Sequence, residues 1–186
     1  MRIIAGELKG RRLKTTWGPG YRPATGRVRE ALFAMLEALG LNWPEVRVLD
    51  VFAGSGALGL EALSRGAGLS WFVEKKQQAC SLIRQNISEL GISPSRTRVI
   101  RQDALFWLKK EHEETFGLVF MDPPYGRNML APALQGLGES GLLQDFGLVC
   151  AEIEGRLEFD AGRQQGMQLI KDRNYGQTRI IVWEKK

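Results

Sequence analysis

The chain has 186 residues, 44% of them hydrophobic and 25% charged, which suits one catalytic domain with a small appendage and excludes disorder as a whole. No apolar run approaches the roughly 18 residues of a membrane span, and the start, Met1-Arg2-Ile3-Ile4-Ala5-Gly6, lacks the apolar core of a secretory signal, so a cytoplasmic protein is expected. Two cysteines, Cys80 and Cys150, and a single histidine, His112, leave no Cys/His metal site and no base for a serine or cysteine triad, so no metal is expected.

In chain order, residues 2–16 read as a short β-hairpin, with Ile3-Ile4-Ala5 and Arg11-Arg12-Leu13-Lys14-Thr15 flanking a turn from Gly6 to Gly10 and Trp17-Gly18-Pro19-Gly20 ending it. The first 30 residues hold eight basic side chains (Arg2, Lys9, Arg11, Arg12, Lys14, Arg22, Arg27 and Arg29) against Glu7 and Glu30, whereas the rest carries 18 basic and 19 acidic residues. The whole net charge of +5 is thus seated in the N-terminal segment, as in a module that holds a polyanion such as nucleic acid. Ile3, Ile4, Leu8, Leu13 and Trp17 in the same stretch imply a folded element rather than a loose arm.

Next comes a helix from Thr25 to Leu39, with Val28, Leu32, Met35, Leu36 and Leu39 at helical spacing, Thr25 as its N-cap and Gly40 as its stop. From Val46 strands and helices alternate. Strands are predicted at Val46 to Val51, Leu69 to Val73, Thr97 to Ile100, Phe116 to Met121 and Phe146 to Glu152; the intervening helices are Ala57 to Arg65, Lys75 to Leu90, Ala104 to Lys110 and Met129 to Leu137. His112, in Lys109-Lys110-Glu111-His112-Glu113-Glu114, reads as a solvated helix end, and Cys80 and Cys150 as small apolar residues on a helix and a strand. Two last strands, Gly166 to Asp172 and Thr178 to Glu184, flank a turn at Arg173-Asn174-Tyr175-Gly176-Gln177. Repeated βα units closed by an antiparallel hairpin predict an α/β, Rossmann-like, mostly parallel seven-stranded sheet, as in class I methyltransferases. Residues 41–186 would form that domain, and residues 1–40 a basic hairpin-and-helix extension.

Leu49-Asp50-Val51-Phe52-Ala53-Gly54-Ser55-Gly56-Ala57-Leu58-Gly59 places a glycine-rich turn after the first strand, where a ligand can approach the backbone. Gly54, Gly56 and Gly59 satisfy G-x-G-x-x-G, and Glu74 follows 20 residues after Gly54, placed for ribose hydroxyls. The spacing alone serves a nicotinamide enzyme as well as a methyltransferase. Asp50 tilts the balance, since a carboxylate there suits the ammonium of S-adenosylmethionine and repels a pyrophosphate. Asp103 can accept from an adenine amino group, or equally cap the helix that starts at Ala104. Candidate cofactor contacts are Asp50, Phe52, Ala53, Gly54, Gly56, Glu74, Asp103 and Ala104.

Asp122-Pro123-Pro124-Tyr125 follows the fourth strand, at the carboxyl edge where open α/β sheets bind ligands. An exocyclic amino group is a poor nucleophile because its lone pair is delocalised. If the Asp122 carboxylate and the Pro123 carbonyl each accept one N–H, that lone pair can turn in line with a sulfonium methyl. Tyr125 offers a face on which an unpaired base can stack. Asp122, Pro123 and Tyr125 are therefore the candidate catalytic residues.

The sequence resembles the RsmD family, bacterial methyltransferases of a guanine N2 in small-subunit (16S) ribosomal RNA. The resemblance rests on Arg2-Ile3-Ile4-Ala5-Gly6 with Lys9-Gly10-Arg11, Arg22-Pro23 with Arg27-Val28-Arg29-Glu30-Ala31-Leu32-Phe33, Asp50 to Arg65, and Asp122 to Tyr125. It implies S-adenosylmethionine as cofactor and small-subunit RNA or the 30S particle as partner, with a monomer expected. It adds Arg22, Arg27 and Arg29, as RNA or cofactor-lid contacts, to the RNA-facing Lys9, Arg11 and Arg12. Ala24 and Gly26 depart from the family's usual threonine and polar residue. Rival readings are an adenine-N6 or glutamine amino-methyltransferase, a nicotinamide oxidoreductase and a non-catalytic RNA-binding assembly factor.

Overall fold

The computed structural model describes residues 1–15, 26–164 and 166–186. Helix α1 (Gly26–Ala38) precedes an alternation of β1 (Arg47–Val51), α2 (Ala57–Ser64), β2 (Leu69–Glu74), α3 (Gln77–Leu90), β3 (Thr97–Arg101), α4 (Ala104–Leu108), β4 (Phe116–Met121), α5 (Leu130–Ser140) and β5 (Leu143–Glu154). Strands β6 (Met167–Tyr175) and β7 (Thr178–Lys185) end the chain. The seven strands lie in the order β3-β2-β1-β4-β5-β7-β6, parallel except for β7, which runs antiparallel to both β5 and β6. The order reverses between β1 and β4, and the crevice at that switch point is where such sheets hold ligands.

The period-two geometry of a strand sends alternate residues to opposite faces. Val119 and Met121 of β4 join Val149 and Ala151 of β5 in a core covered by α4 and α5. Leu118 and Phe120 meet Val28, Leu32, Phe33 and Leu36 of α1 on the other face. Both faces are dry, so the central strands carry unbroken apolar runs. A third cluster joins α2 and α3 to Ile3 and Leu13 of the N-terminal segment. Cys80 and Cys150 are buried and unpaired, as small apolar residues would be. Among the described residues no helix is long and apolar enough to cross a membrane.

Three local expectations change. The N-terminal hairpin amounts to one antiparallel bridge, Arg2 to Arg12, with Ile3, Gly10 and Leu13 amides completing the pairing. Its partners are on the domain instead. Glu61 accepts from the Ile4 and Ala5 amides at 2.8 and 3.0 Å, and Ser64 accepts from Leu8 N–H at 3.0 Å. Gly6 (φ 81°) runs so close to α2 that a Cβ there would sit 1.7 Å from the Ser64 carbonyl oxygen, which only glycine permits. At the other end of the chain the expected five-residue turn shrinks to two: β6 continues to Tyr175, paired with Thr178, and Gly176 (φ 62°) supplies the left-handed position. His112 is half-buried: its Nε2 lies 2.9 Å from the Trp107 carbonyl and its ring packs 4.2 Å from the Trp107 ring. Thr25, the expected N-cap, and Trp17 to Gly20 lie outside the described residues.

Candidate active site

A cavity of about 530 Å³ opens at the switch point between β1 and β4. Asp50, Phe52, Ala53, Gly54, Glu74, Asp103, Ala104, Asp122, Pro123 and Tyr125, all selected from sequence, line it. Gly56 does not; it stands at the amino end of α2 with φ 77°. The sheet brings these residues together because β1, β2 and β4 end at the same edge.

The turn after β1 is bent by Phe52 (φ 66°) and Gly54 (φ 55°). A phenylalanine in the left-handed region is uncommon and costs about 1–3 kcal/mol, a strain typical of functional loops. The loop is held by acids. Glu74 accepts from Gly54 N–H at 3.0 Å and from Lys76 N–H at 2.8 Å, while Asp50 accepts from Gly59 N–H at 3.0 Å. Asp50 is 1% exposed; burial, aided by the Glu74 charge and opposed by the Gly59 hydrogen bond, pushes its carboxyl up to about 8. Among the described residues no cation pairs with it. Asp103 caps α4 through Leu105 and Phe106 N–H and keeps its other oxygen 3.6 Å from Lys75 Nζ, so it performs the capping role while still lining the cavity.

Past the turn Asp122 is half-buried, and burial, then Glu152 and Asp50, raise its carboxyl well above the ordinary range. Pro123 and Pro124 carry no N–H, so the turn offers acceptors without competing donors. The Tyr125 hydroxyl lies 3.5 Å from Thr178 Oγ1. Gly126 N–H donates to Glu154 at 2.6 Å, fixing the loop that sets Arg127 at the cavity rim.

The basic residues divide. Lys9, Arg11, Arg12 and Arg27 are exposed, with Arg11 reaching the Glu89 carbonyl at 2.5 Å. Arg22 lies outside the described residues. Arg29 is 2% exposed, and its guanidinium donates to Met1 Sδ and to the Arg2 carbonyl. It lines the cavity beside Met1 and Thr15 and does not face the solvent.

Sequence reasoning missed four contributors. Glu61 and Asn86 dock the N-terminal segment: Asn86 pairs with both backbone groups of Lys14 at 2.9 and 3.0 Å and reaches the Ser55 carbonyl at 3.3 Å, tying that segment to the glycine loop. No local pattern marks them. Arg127 sits two residues beyond the Asp-Pro-Pro-Tyr motif and was legible by position. Glu152 was legible as the one acid in the apolar run from Leu148 to Ile153.

The side chains suit a cationic nucleoside ligand: a buried acid on β1 before the glycine turn, an acid at the end of β2 and a further acid after β3. A family model described as conserved hypothetical protein 95 matches residues 1–184. Ribosomal RNA small subunit methyltransferase D of Escherichia coli is 37% identical over 154 residues, 83% of this chain and 75% of that one. The solved structure of YhhF from Escherichia coli superposes with a TM-score of 0.84 at 32% identity, covering 100% of this chain and 98% of that one. Hypothetical protein TTHA0928 of Thermus thermophilus gives 0.81 at 32%, with 98% of each chain covered.

Proposed function

The chain belongs to the RsmD family, the one described as conserved hypothetical protein 95, and from that premise we propose that it methylates a guanine N2 of small-subunit ribosomal RNA. S-adenosylmethionine is the methyl donor, and bound it supplies an electrophilic methyl group. Asp50 would hold its ammonium group, Glu74 the ribose, and Asp103 with Ala104 the adenine. The fit rests on Asp50, a buried acid with one backbone hydrogen bond and, among the described residues, no cation.

Asp122 and the Pro123 carbonyl accept the two N–H bonds of the target amino group and turn its lone pair toward the methyl. Tyr125 supports the base plane. No ring nitrogen is oxidised or reduced, so positioning and removal of one proton are all that the chain must provide. Lys9, Arg11, Arg12 and Arg27 present positive charge to RNA phosphates, and residues 1–40 act as the RNA-binding extension. The substrate is the assembled or partly assembled small subunit, whose folded RNA offers the phosphate array that such an extension grips.

One observation carries the reading: Asp122-Pro123 and the glycine-turn acids line one cavity. The chain, labelled cofactor and either naked small-subunit RNA or 30S particles are incubated, and the nucleosides are resolved by mass. N2-methylguanosine is expected, lost in Asp122→Ala. N6-methyladenosine, or full activity in Asp122→Ala, refutes it.

A further inference from the structure

Glu152 ends the row Leu148, Cys150, Glu152 on the face of β5 that α1 covers. Met121 pairs with Ala151 in the β4–β5 register, so Asp122, one residue on, lies alongside Glu152, and the two carboxyls repel. Glu152 is 3% exposed, and its Oε2 has no hydrogen-bond partner among the described residues. Arg29 on α1 is as deeply buried, its Nε likewise lacks a partner among the described residues, and its charge bears on Glu152. Buried polar atoms without partners are rare enough to call for a reason. Hydrophobic residues would hold this corner at least as well.

Among the described residues the charged surroundings are few. Asp122 meets Asp50 from β1 and Glu152 from β5. Glu152 meets Arg29, which in turn meets Glu61 and Arg65 from α2. The β7 neighbour of Glu152 is the apolar Ile180. Two carboxyls side by side, one buried and one at the cavity wall, titrate as one unit and resist double ionisation.

We propose that Glu152 is a positioning residue that acts through Asp122: together the two hold the proton that leaves the substrate nitrogen. This rests on reading Asp122 as the group that faces that nitrogen. During transfer the nitrogen lone pair forms the new C–N bond, and the S–C bond breaks with its electrons going to sulfur. The nitrogen, now carrying one proton too many, gives it to an Asp122 oxygen. Before transfer the carboxyl pair is balanced by Arg29 and by the cofactor's positive charge. Afterwards that charge is gone, a proton has arrived, and the two carboxyls share it until solvent takes it. Burial of Glu152, which raises it to about 7, fits a group that changes charge near neutrality.

The test is the pH profile of kcat at saturating cofactor and 30S particles for the unaltered chain, Glu152→Gln and Asp122→Asn. Glu152→Gln keeps the shape and removes the charge, so Asp122 loses its repelling neighbour. The acid limb then moves to lower pH, while the plateau kcat falls about tenfold because Asp122 becomes a weaker base, with KM for both substrates within about twofold. A merely structural Glu152 changes the melting temperature and leaves the limb in place, and that result overturns the proposal. If Asp122→Asn is inactive while the limb of Glu152→Gln is unmoved, only the proposal falls; if Asp122→Asn stays active, the underlying reading falls too. Should Glu152→Gln not fold, carboxyl-carbon NMR titration of the unaltered chain decides. Two coupled steps shared by Asp122 and Glu152 are expected, and a Glu152 that titrates alone like an exposed glutamate refutes the coupling.

Discussion

Replacing Gly59 by alanine tests how closely the site depends on helix-to-sheet packing. Gly59 lies one turn into α2, and a Cβ there would come 2.4 Å from Phe72 Cε1 and 2.5 Å from Ser70 Oγ. Phe72 and Ser70 are both 0% exposed, so neither has room to give way. Alanine gains about 1 kcal/mol of helix propensity over glycine. Overpacking of this kind costs about 1–3 kcal/mol, and contacts this short belong at the upper end. A net loss of about 1–2 kcal/mol follows, or a melting temperature lower by about 2–8 °C for a chain of this size. The backbone consequence matters more for function. Relief moves α2 away from β2, stretching the 3.0 Å bond from Gly59 N–H to Asp50 and opening the glycine turn, so S-adenosylmethionine affinity falls with stability. The control is Gly138→Ala in α5, where a Cβ meets nothing within 4 Å; it should stabilise by up to about 1 kcal/mol. Urea unfolding and calorimetric cofactor titration measure both. A Gly59→Ala chain as stable as its parent with unchanged cofactor affinity would refute the packing account.

Other outcomes follow from the same coordinates. Asp50 is pushed up to about 8 in the free cavity, above its unfolded value, so it holds a proton that the unfolded chain has lost; its contribution to stability therefore declines as pH rises from about 4 to 8. A cationic ligand favours the ionised form, so cofactor binding at pH 7 should release protons, read by calorimetry in buffers of different ionisation enthalpy, and Asp50→Asn should abolish the release. Glu61→Ala leaves the Ile4 and Ala5 amides unbonded and should make residues 1–15 protease-sensitive while weakening both cofactor and RNA binding; unchanged proteolysis would contradict the docking role. Arg12→Ala should reduce the salt dependence of RNA binding by about one unit of slope and leave the melting temperature unaltered. Arg29→Ala should lower the melting temperature, because its guanidinium is buried against Met1 and Arg2; the reverse pattern in thermal melts would show that the burial of Arg29 has been misjudged.

Much of the fold was legible because its determinants are local. Phe116 to Met121 appears as β4 without a change of boundary, since a short apolar run between polar turns has few other solutions. Gly91 ends α3 in the left-handed conformation expected of a helix stop. Fifth-strand limits moved outward to Leu143–Glu154 because Leu143 pairs with Phe116 of β4 at one end and Ile153 and Glu154 pair with β7 at the other, beyond the predicted run. The N-terminal hairpin was overestimated for the converse reason: its amides bond to Glu61, Ser64 and Asn86, residues 56 to 72 positions away along the chain, which no window of sequence can see.

The sequence by itself determined the alternation of strands and helices, the glycine turn, the acids at the strand ends and the concentration of positive charge in the first 30 residues, because hydrophobic period and turn chemistry act over a few positions. Only the tertiary structure decided which charges face solvent and which face each other. Burial depends on what packs above a side chain, and that turned Arg29 inward with Glu152 and Asp122, while Lys9 and Arg12 remained at the surface.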